Sequence, residues 1–332
     1  VSYQTGSSTD PVDLLQKLVT WLEGIGWNCD LSEAEGAGWR AHLDLGGNFV
    51  HLRAALNEAA TFEECVGNAN YSLNLYMGTA FDGTKVWNNQ VTGAPTGSGT
   101  NPIGVGMPLS AGPYANYYFF ADSAGENVVV VVERLSGMYV FLGWGASLNK
   151  AGSWTGGPYF FATCSGYFAN RTSPPSEAAG FGATSACPFS NADALSACCA
   201  FVRADVDSFT GRWIGLFQGT NPDMGFTGKH GDSSVCRSGA VSMNPAIPVF
   251  AYEDAAGQFQ WDQTSEQDGR ANLLPLLLWA LRDGTTTGYS LLGCPPFIFA
   301  TNAVGTGFSA TDEYEIGATT YMLFPNFAIV KQ

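Results

Sequence analysis

Between Ser8 and Gly26 the chain reads STDPVDLLQKLVTWLEGIG, and its apolar positions recur at helical spacing: Leu15, Leu18, Val19 and Leu22. Asp10 suits the cap, Pro11 the first helical position, and Asp13 the positive end of the helix dipole. Gly24 or Gly26 stops the run. The pattern predicts an amphipathic helix over Pro11–Glu23 with one apolar face to dock on something.

After this helix the period changes to two. FVHLRAAL, YSLNLYM, NYYFFAD, NVVVVVERL, YVFLGW, YFFAT, GRWIGLF, GYSLLG, FIFAT and TTYMLF are short and rich in β-branched or aromatic residues, and Gly, Asn, Asp and Pro punctuate them. Asn116–Trp144 reads as three consecutive antiparallel strands with turns at Ser123–Glu126 and Ser136–Gly137. NVVVVVERL (Asn127–Leu135) is nearly uniformly apolar, which predicts a central strand covered on both faces. Two stretches lack strand periodicity: the Gly/Ser/Thr/Pro-rich Val91–Gly106 and the Pro/Ser/Ala-rich Ala169–Ala200. Neither reads as a domain linker. The expected fold is mainly β, an antiparallel sandwich-like domain with an N-terminal amphipathic helix, formed by one elaborated domain over residues 1–332; a subdivision near 169–200 is the alternative.

Composition sharpens this picture. Among 332 residues, charged side chains are only 13%, aromatics are 13%, and glycine occurs 41 times. Such a chain favours short strands and tight turns over long solvent-facing helices. The net charge is −15, from 14 basic and 29 acidic residues, and no basic cluster occurs. Direct nucleic-acid binding rests on basic side chains that displace counterions from phosphates, so this balance argues against it. The longest apolar run, Leu273–Leu281, is too short to span a bilayer. The opening Val-Ser-Tyr-Gln has neither the basic nor the apolar region of a secretion signal, and a soluble protein is expected. The eight cysteines at 29, 65, 164, 187, 198, 199, 236 and 294 are dispersed, without CxxC or His-flanked spacing, so they read as reduced, buried thiols of a protein assembled in a reducing cytoplasm.

Candidate chemistry is sparse. Gly143–Gly157 does not match the phosphate-loop pattern, because Lys150 is followed by Ala, and GVGMPL does not open a helix; both read as turns. The histidines are His42, His51 and His230, GxSxG is absent, and the polar run Lys229–Ser234 reads as a loop. Glu63–Glu64, Glu253–Asp254 and the trio Asp312, Glu313 and Glu315 offer carboxylate pairs of the kind glycosidases use, but a chain with 29 acids supplies these by chance. Asp205, Asp207 and Asp223 lack the spacing of a calcium loop. No catalytic residue, cofactor site or metal site is expected. Trp144, Trp154, Tyr159 and Tyr167 are read first as filling the domain's own core, with stacking on sugars or filling a subunit pocket as the alternative.

Phe141–Thr163, FLGWGASLNKAGSWTGGPYFFAT, resembles a segment of virion structural proteins of tailed bacteriophages, in which a strand ending in Phe-x-Gly leads through Leu, Lys and Gly to an aromatic, a Gly-Gly pair and another aromatic strand. The preceding Tyr114–Trp144 is similar to the strand–turn–strand upstream in those proteins. Leu273–Asn302 and Glu315–Gln332, with YSLLG and the closing Phe-Pro-Asn, look like their terminal module. The resemblance touches both ends and the middle, and not residues 169–250. It implies a non-enzymatic, multi-copy part of the virion, a tail or baseplate component, with neck and head decoration as other positions. Its partners would be other virion proteins and copies of itself, without direct nucleic-acid contact or a membrane span, and it would be assembled in the host cytoplasm. A carbohydrate- or receptor-binding module of the particle, directed at a host surface glycan, is the alternative. At least one of Val91–Gly106 and Ala169–Ala200 is expected to order by packing against another subunit.

Overall fold

The computed structural model describes residues 1–57, 71–90, 92–95, 102, 104–165, 198–206, 209–217, 251–253, 259–261, 273–276, 278–281, 289–301, 304, 307–325 and 327–331. Of strands β13 and β14 below it describes the backbone and only a few side chains, and half of Val91–Gly106 and all of residues 169–197 lie outside these residues.

A seven-stranded antiparallel sheet runs in the order β1 (Ser2–Ser8), β7 (Tyr114–Ala121), β8 (Asn127–Leu135), β9 (Met138–Gly145), β11 (Thr155–Ala162), β13 (Cys198–Val206) and β14 (Phe209–Phe217). A second, six-stranded sheet has the order β12 (Cys164–Ser165), β6 (Val105–Pro108), β5 (Tyr71–Gly78), β4 (Asn48–Leu56), β3 (Gly38–Leu45) and β2 (Asn28–Glu35). A five-stranded sheet joins β17 (Leu274–Pro275), β20 (Ile298–Ala300), β23 (Phe327–Val330), β22 (Thr319–Phe324) and β21 (Glu313–Ile316). Smaller sheets are formed by β10 (Asn149–Lys150), β19 (Tyr289–Cys294) and β18 (Leu278–Leu281), and by β15 (Ala251–Glu253) with β16 (Phe259–Trp261). All pairings between these strands are antiparallel, and the chain is mainly β, as its period-two segments predict.

The first sheet is the middle layer of a stack. Val128, Val130 and Val132 of β8 enter one core, with Leu142 and Trp144 from the next strand, the helix, and Leu43, Val50, Leu52, Leu73 and Leu75 of the second sheet. Val129 and Val131 enter the opposite core, with Phe141, Tyr159 and Phe161, against Ile298, Met322, Phe324, Phe327 and Ile329 of the five-stranded sheet. This accounts for the run of five valines: both faces of β8 are dry, so alternation has nothing polar to place.

Helix α1 spans Pro11–Gly24, one residue beyond the predicted end. Asp10 Oδ1 accepts from the backbone N–H of Val12 at 2.8 Å and of Asp13 at 2.9 Å, satisfying two donors of the first turn. Leu14, Leu15, Leu18, Val19, Trp21 and Leu22 are buried, so the apolar face is the docked one. The chain leaves through Ile25 and Gly26, whose φ of 104° favours glycine.

One expectation needs correction. Gly143 and Gly145 lie inside β9, Gly156 and Gly157 inside β11, and Gly106 inside β6, so the glycine-rich segments are strands as much as turns. The reason is ring packing. A Cβ on Gly143 would sit 2.5 Å from Phe161 Cζ, and one on Gly145 2.0 Å from Asn127 Oδ1 and 2.5 Å from the Tyr159 ring. These positions are small because cross-strand aromatics occupy the space a side chain would need.

Candidate functional site

The richest cluster of polar side chains lies on the face of the second sheet turned away from the main core. Its origin is a hairpin. Gly46 and Gly47, with φ of 60° and 86°, form the two-residue turn between β3 and β4, a geometry that demands positive φ at both positions. The turn sets the register, so Leu43 faces Val50 and Ala41 faces Leu52 on the core side. On the other face Arg40 is opposite Arg53, and His42 is opposite His51.

The two histidines are fully buried, and their Nδ1 atoms are 2.7 Å apart. Two neutral imidazoles at this distance share one proton: one ring donates through Nδ1 and the other accepts. The donating ring then keeps a bare lone pair at Nε2, and the accepting ring carries an N–H there. Both Nε2 atoms are buried and have no hydrogen-bond partner among the described residues. Burial, with the Arg40 guanidinium as a smaller contribution, pushes the His42 pKa down to about 3. Burial and then His42 hold that of His51 well below the ordinary value. The pair is therefore neutral at pH 7.

The opposed arginines are reconciled by carboxylates from β2. Glu35 bridges them, with Oε1 3.2 Å from Arg53 Nε and Oε2 3.1 Å from Arg40 Nη1. Glu33 Oε1 takes Arg40 Nη2 at 2.5 Å. Arg53 Nη2 donates to the Glu35 carbonyl at 2.7 Å. Two cations thus meet two anions, and both guanidiniums are largely sealed from water.

A strap, Thr79–Gln90 with its return through Thr92 and Gly93, lies over this face. Phe81 stacks on His42 with centroids 4.6 Å apart, and Trp87 meets Tyr76 at 4.9 Å, Tyr76 itself lying 4.8 Å from His51. Arg40 Nη1 donates to the Lys85 carbonyl at 2.7 Å, the Trp87 backbone N–H donates to Glu35 Oε2 at 3.2 Å, and the Tyr76 hydroxyl donates to the Trp87 carbonyl. Gln90 ties the strap together by accepting from Asp82 N and donating to the carbonyls of Asp82 and Lys85. At its end, Trp213 Nε1 donates to the Gly93 carbonyl at 2.8 Å. The site is a sealed polar interlayer.

The residues singled out in the sequence fall elsewhere. Trp144 and Tyr159 are completely buried: Trp144 meets Trp27 edge-on, and the Tyr159 hydroxyl donates to Asn127 Oδ1 at 2.9 Å. They fill the core. Trp154 is half-buried, donates Nε1 to the Leu292 carbonyl at 2.9 Å, and has Lys150 Nζ 4.9 Å from its ring centroid. Asp312 caps Ser309, Glu313 pairs with Lys331, and Glu315 is exposed on an edge strand. Cys29 and Cys294 are free thiols. Glu63, Glu64, Cys65, Tyr167, Cys187, Asp207, Asp223, His230, Cys236 and Asp254 lie outside the described residues, as do the side chains of Cys164, Cys198, Cys199, Asp205 and Glu253. Among the described residues no group of three or more His, Cys, Asp and Glu side chains is placed to hold a metal, and no helix is long and apolar enough to cross a membrane.

The pairing of His42 with His51 was missed at the sequence level, although a signal exists. GWRAHLDL-GG-NFVHLRAAL is two strands around a Gly-Gly turn, and the turn alone dictates which residues face each other. No protein-family model matches the chain, and no curated protein is significantly similar to it.

Proposed function

We propose that this protein is a non-catalytic structural component of a tailed-phage virion, a multi-copy part of the tail or baseplate. The observation that carries this reading is where the resembling segments sit. Tyr114–Ala162 supplies β7, β8, β9 and β11, the inner layer buried on both faces, and the carboxyl-terminal segments supply the sheet that packs on it. These stretches are a packed spine whose side chains supply shape more than chemistry. The polar cluster of the second sheet points the same way, since its arginines, glutamates and Tyr76 are engaged in holding one layer to the next. Mass spectrometry of purified particles tests the proposal. The protein is expected at stoichiometric levels; its presence only in infected-cell lysate would reject the assignment.

A glycan- or receptor-binding role is the second reading, and Trp154 favours it. Its half-buried ring lies beside the exposed Asn149 and Lys150, the mixture of aromatic face and polar rim that suits a sugar. A glycan array separates the two: saturable binding to a host polysaccharide, lost in Trp154→Ala, supports this role, and silence removes it. Polysaccharide hydrolysis, the third class, predicts a halo on host lawns; none is expected.

A further inference from the structure

The polar interlayer contains two features that do not belong together in a permanently closed structure. A chain that needs only to glue the strap to the sheet has no use for two buried imidazoles, each with an Nε2 that finds no partner among the described residues. Apolar residues of similar size would pack there without an unsatisfied donor or acceptor. A histidine pair adds one property that apolar residues lack, the ability to take up protons.

We propose that the strap over the second sheet, Thr79–Gln90 with Thr92 and Gly93, is a latch that opens in mild acid, with the His42–His51 pair as its proton acceptor. Neutral, the pair satisfies itself with one Nδ1–Nδ1 hydrogen bond, with the His42 ring stacked under Phe81 and the His51 ring against Tyr76. A proton has a site at the bare Nε2 of the donating ring, but the resulting imidazolium would be enclosed, with no acceptor among the described residues for its new N–H. The described titratable groups on the elements around the pair are Arg40 and Asp44 on β3, Arg53 on β4, Cys29, Asp30, Glu33 and Glu35 on β2, Tyr71 and Tyr76 on β5, and Asp82 and Lys85 on the strap; Asp30 Oδ1 is taken by the Asn28 side chain. The two glutamates are occupied by the two arginines, and Asp44 Oδ1 accepts from Asn28, at the edge of the sheet. The cheapest way to hydrate the charge is to lift the covering segment. The strap suits that motion: its described residues carry no strand pairing to the sheet beneath, its 3₁₀ turn is three residues long, and Val86 at its crest is half exposed. By contrast, β3 and β4 below are paired along their lengths on both sides.

Hydrogen exchange read by mass spectrometry, at pH 7.5 and pH 5.0 and corrected for intrinsic exchange, tests this on the intact protein. At pH 5.0 each histidine freed to its ordinary pKa of about 6.5 favours opening roughly 30-fold, so the pair favours it by up to ~10³-fold. The expected result is faster exchange of strap amides, while those of Val128–Val132 stay protected. In a His42→Gln/His51→Gln variant the strap's exchange should lose its pH dependence. Equal protection of the strap at both pH values would overturn the proposal. So would joint loss of protection by strap and Val128–Val132, which indicates global unfolding, or retained pH dependence in the variant. Should the variant not fold, the pH series on the natural chain decides alone, because selective opening and global unfolding separate in it. None of these outcomes bears on whether the protein is found in virions.

Discussion

At the scale of single residues, packing tolerance decides what can change. Leu142 is fully buried in the core between the first and second sheets, and Leu142→Ala is expected to cost about 2–5 kcal/mol in denaturant unfolding, through lost transfer energy and the cavity left behind. Gly145→Ala errs in the opposite direction, since its Cβ would meet Asn127 Oδ1 at 2.0 Å; overpacking there should cost about 1–3 kcal/mol. A loss below about half a kilocalorie at either site would show that the layers are looser than their burial implies. The half-buried thiols give a chemical check. Burial, then the nearby carboxylates of Glu23 and Asp30, raises the pKa of Cys29, and burial raises that of Cys294. Both should alkylate with iodoacetamide more slowly than free cysteine at pH 8, because the thiolate is the reactive form. Peptide mapping of a timed reaction reads this directly.

At the scale of elements, the helix is the piece whose stability is locally written. Asp10 holds two first-turn N–H groups, and Asp13 adds contacts to Thr9 N, Ser8 and Lys17. Asp10→Ala should cost about 0.5–2 kcal/mol, with Asp10→Asn recovering most of it. Failure of asparagine to rescue would mean the carboxylate's charge matters more than its hydrogen bonds. The β-strands differ in how legible they were. The ten apolar or aromatic segments named from the sequence all fall on strands of the structure. β1, SYQTGSS, and β2, NCDLSEAE, were not foreseen, because each is a polar sheet-edge strand whose pairing with β7 or β3, more than its own side chains, holds it extended.

At the scale of the whole molecule, the layers couple to pH through the buried imidazoles. For His42 the folded pKa of about 3 lies below the ordinary value near 6.5, so between those values the unfolded chain binds the extra proton and stability falls as pH falls. His51 acts with the same sign. Urea unfolding should show constant stability from this source above about pH 6.5. Below it the loss should approach about 1.4 kcal/mol per pH unit for each histidine, until the strap opens and the slope flattens. The His42→Gln/His51→Gln variant should lack that slope. A natural chain whose midpoint and strap exchange are both unchanged between pH 7.5 and pH 5 would rule out buried neutral histidines.

What the sequence determined by itself was local or periodic. The capped helix, the antiparallel meander Asn116–Trp144 and the doubly buried valine strand all follow from signals within a few residues of where they act. What only the tertiary structure decided was which faces meet. Gly143 and Gly145 look like turn residues until the rings of Phe161 and Tyr159 are seen occupying their side-chain space. Trp144 and Tyr159 read as core residues from the sequence, but which core each fills is decided only when the sheets close over them. His42 and His51 lie nine residues apart, and they become a proton-sharing pair only when the hairpin register brings them face to face and the strap excludes water. Contacts of this kind depend on pairing and layer order, and no short window of sequence contains them.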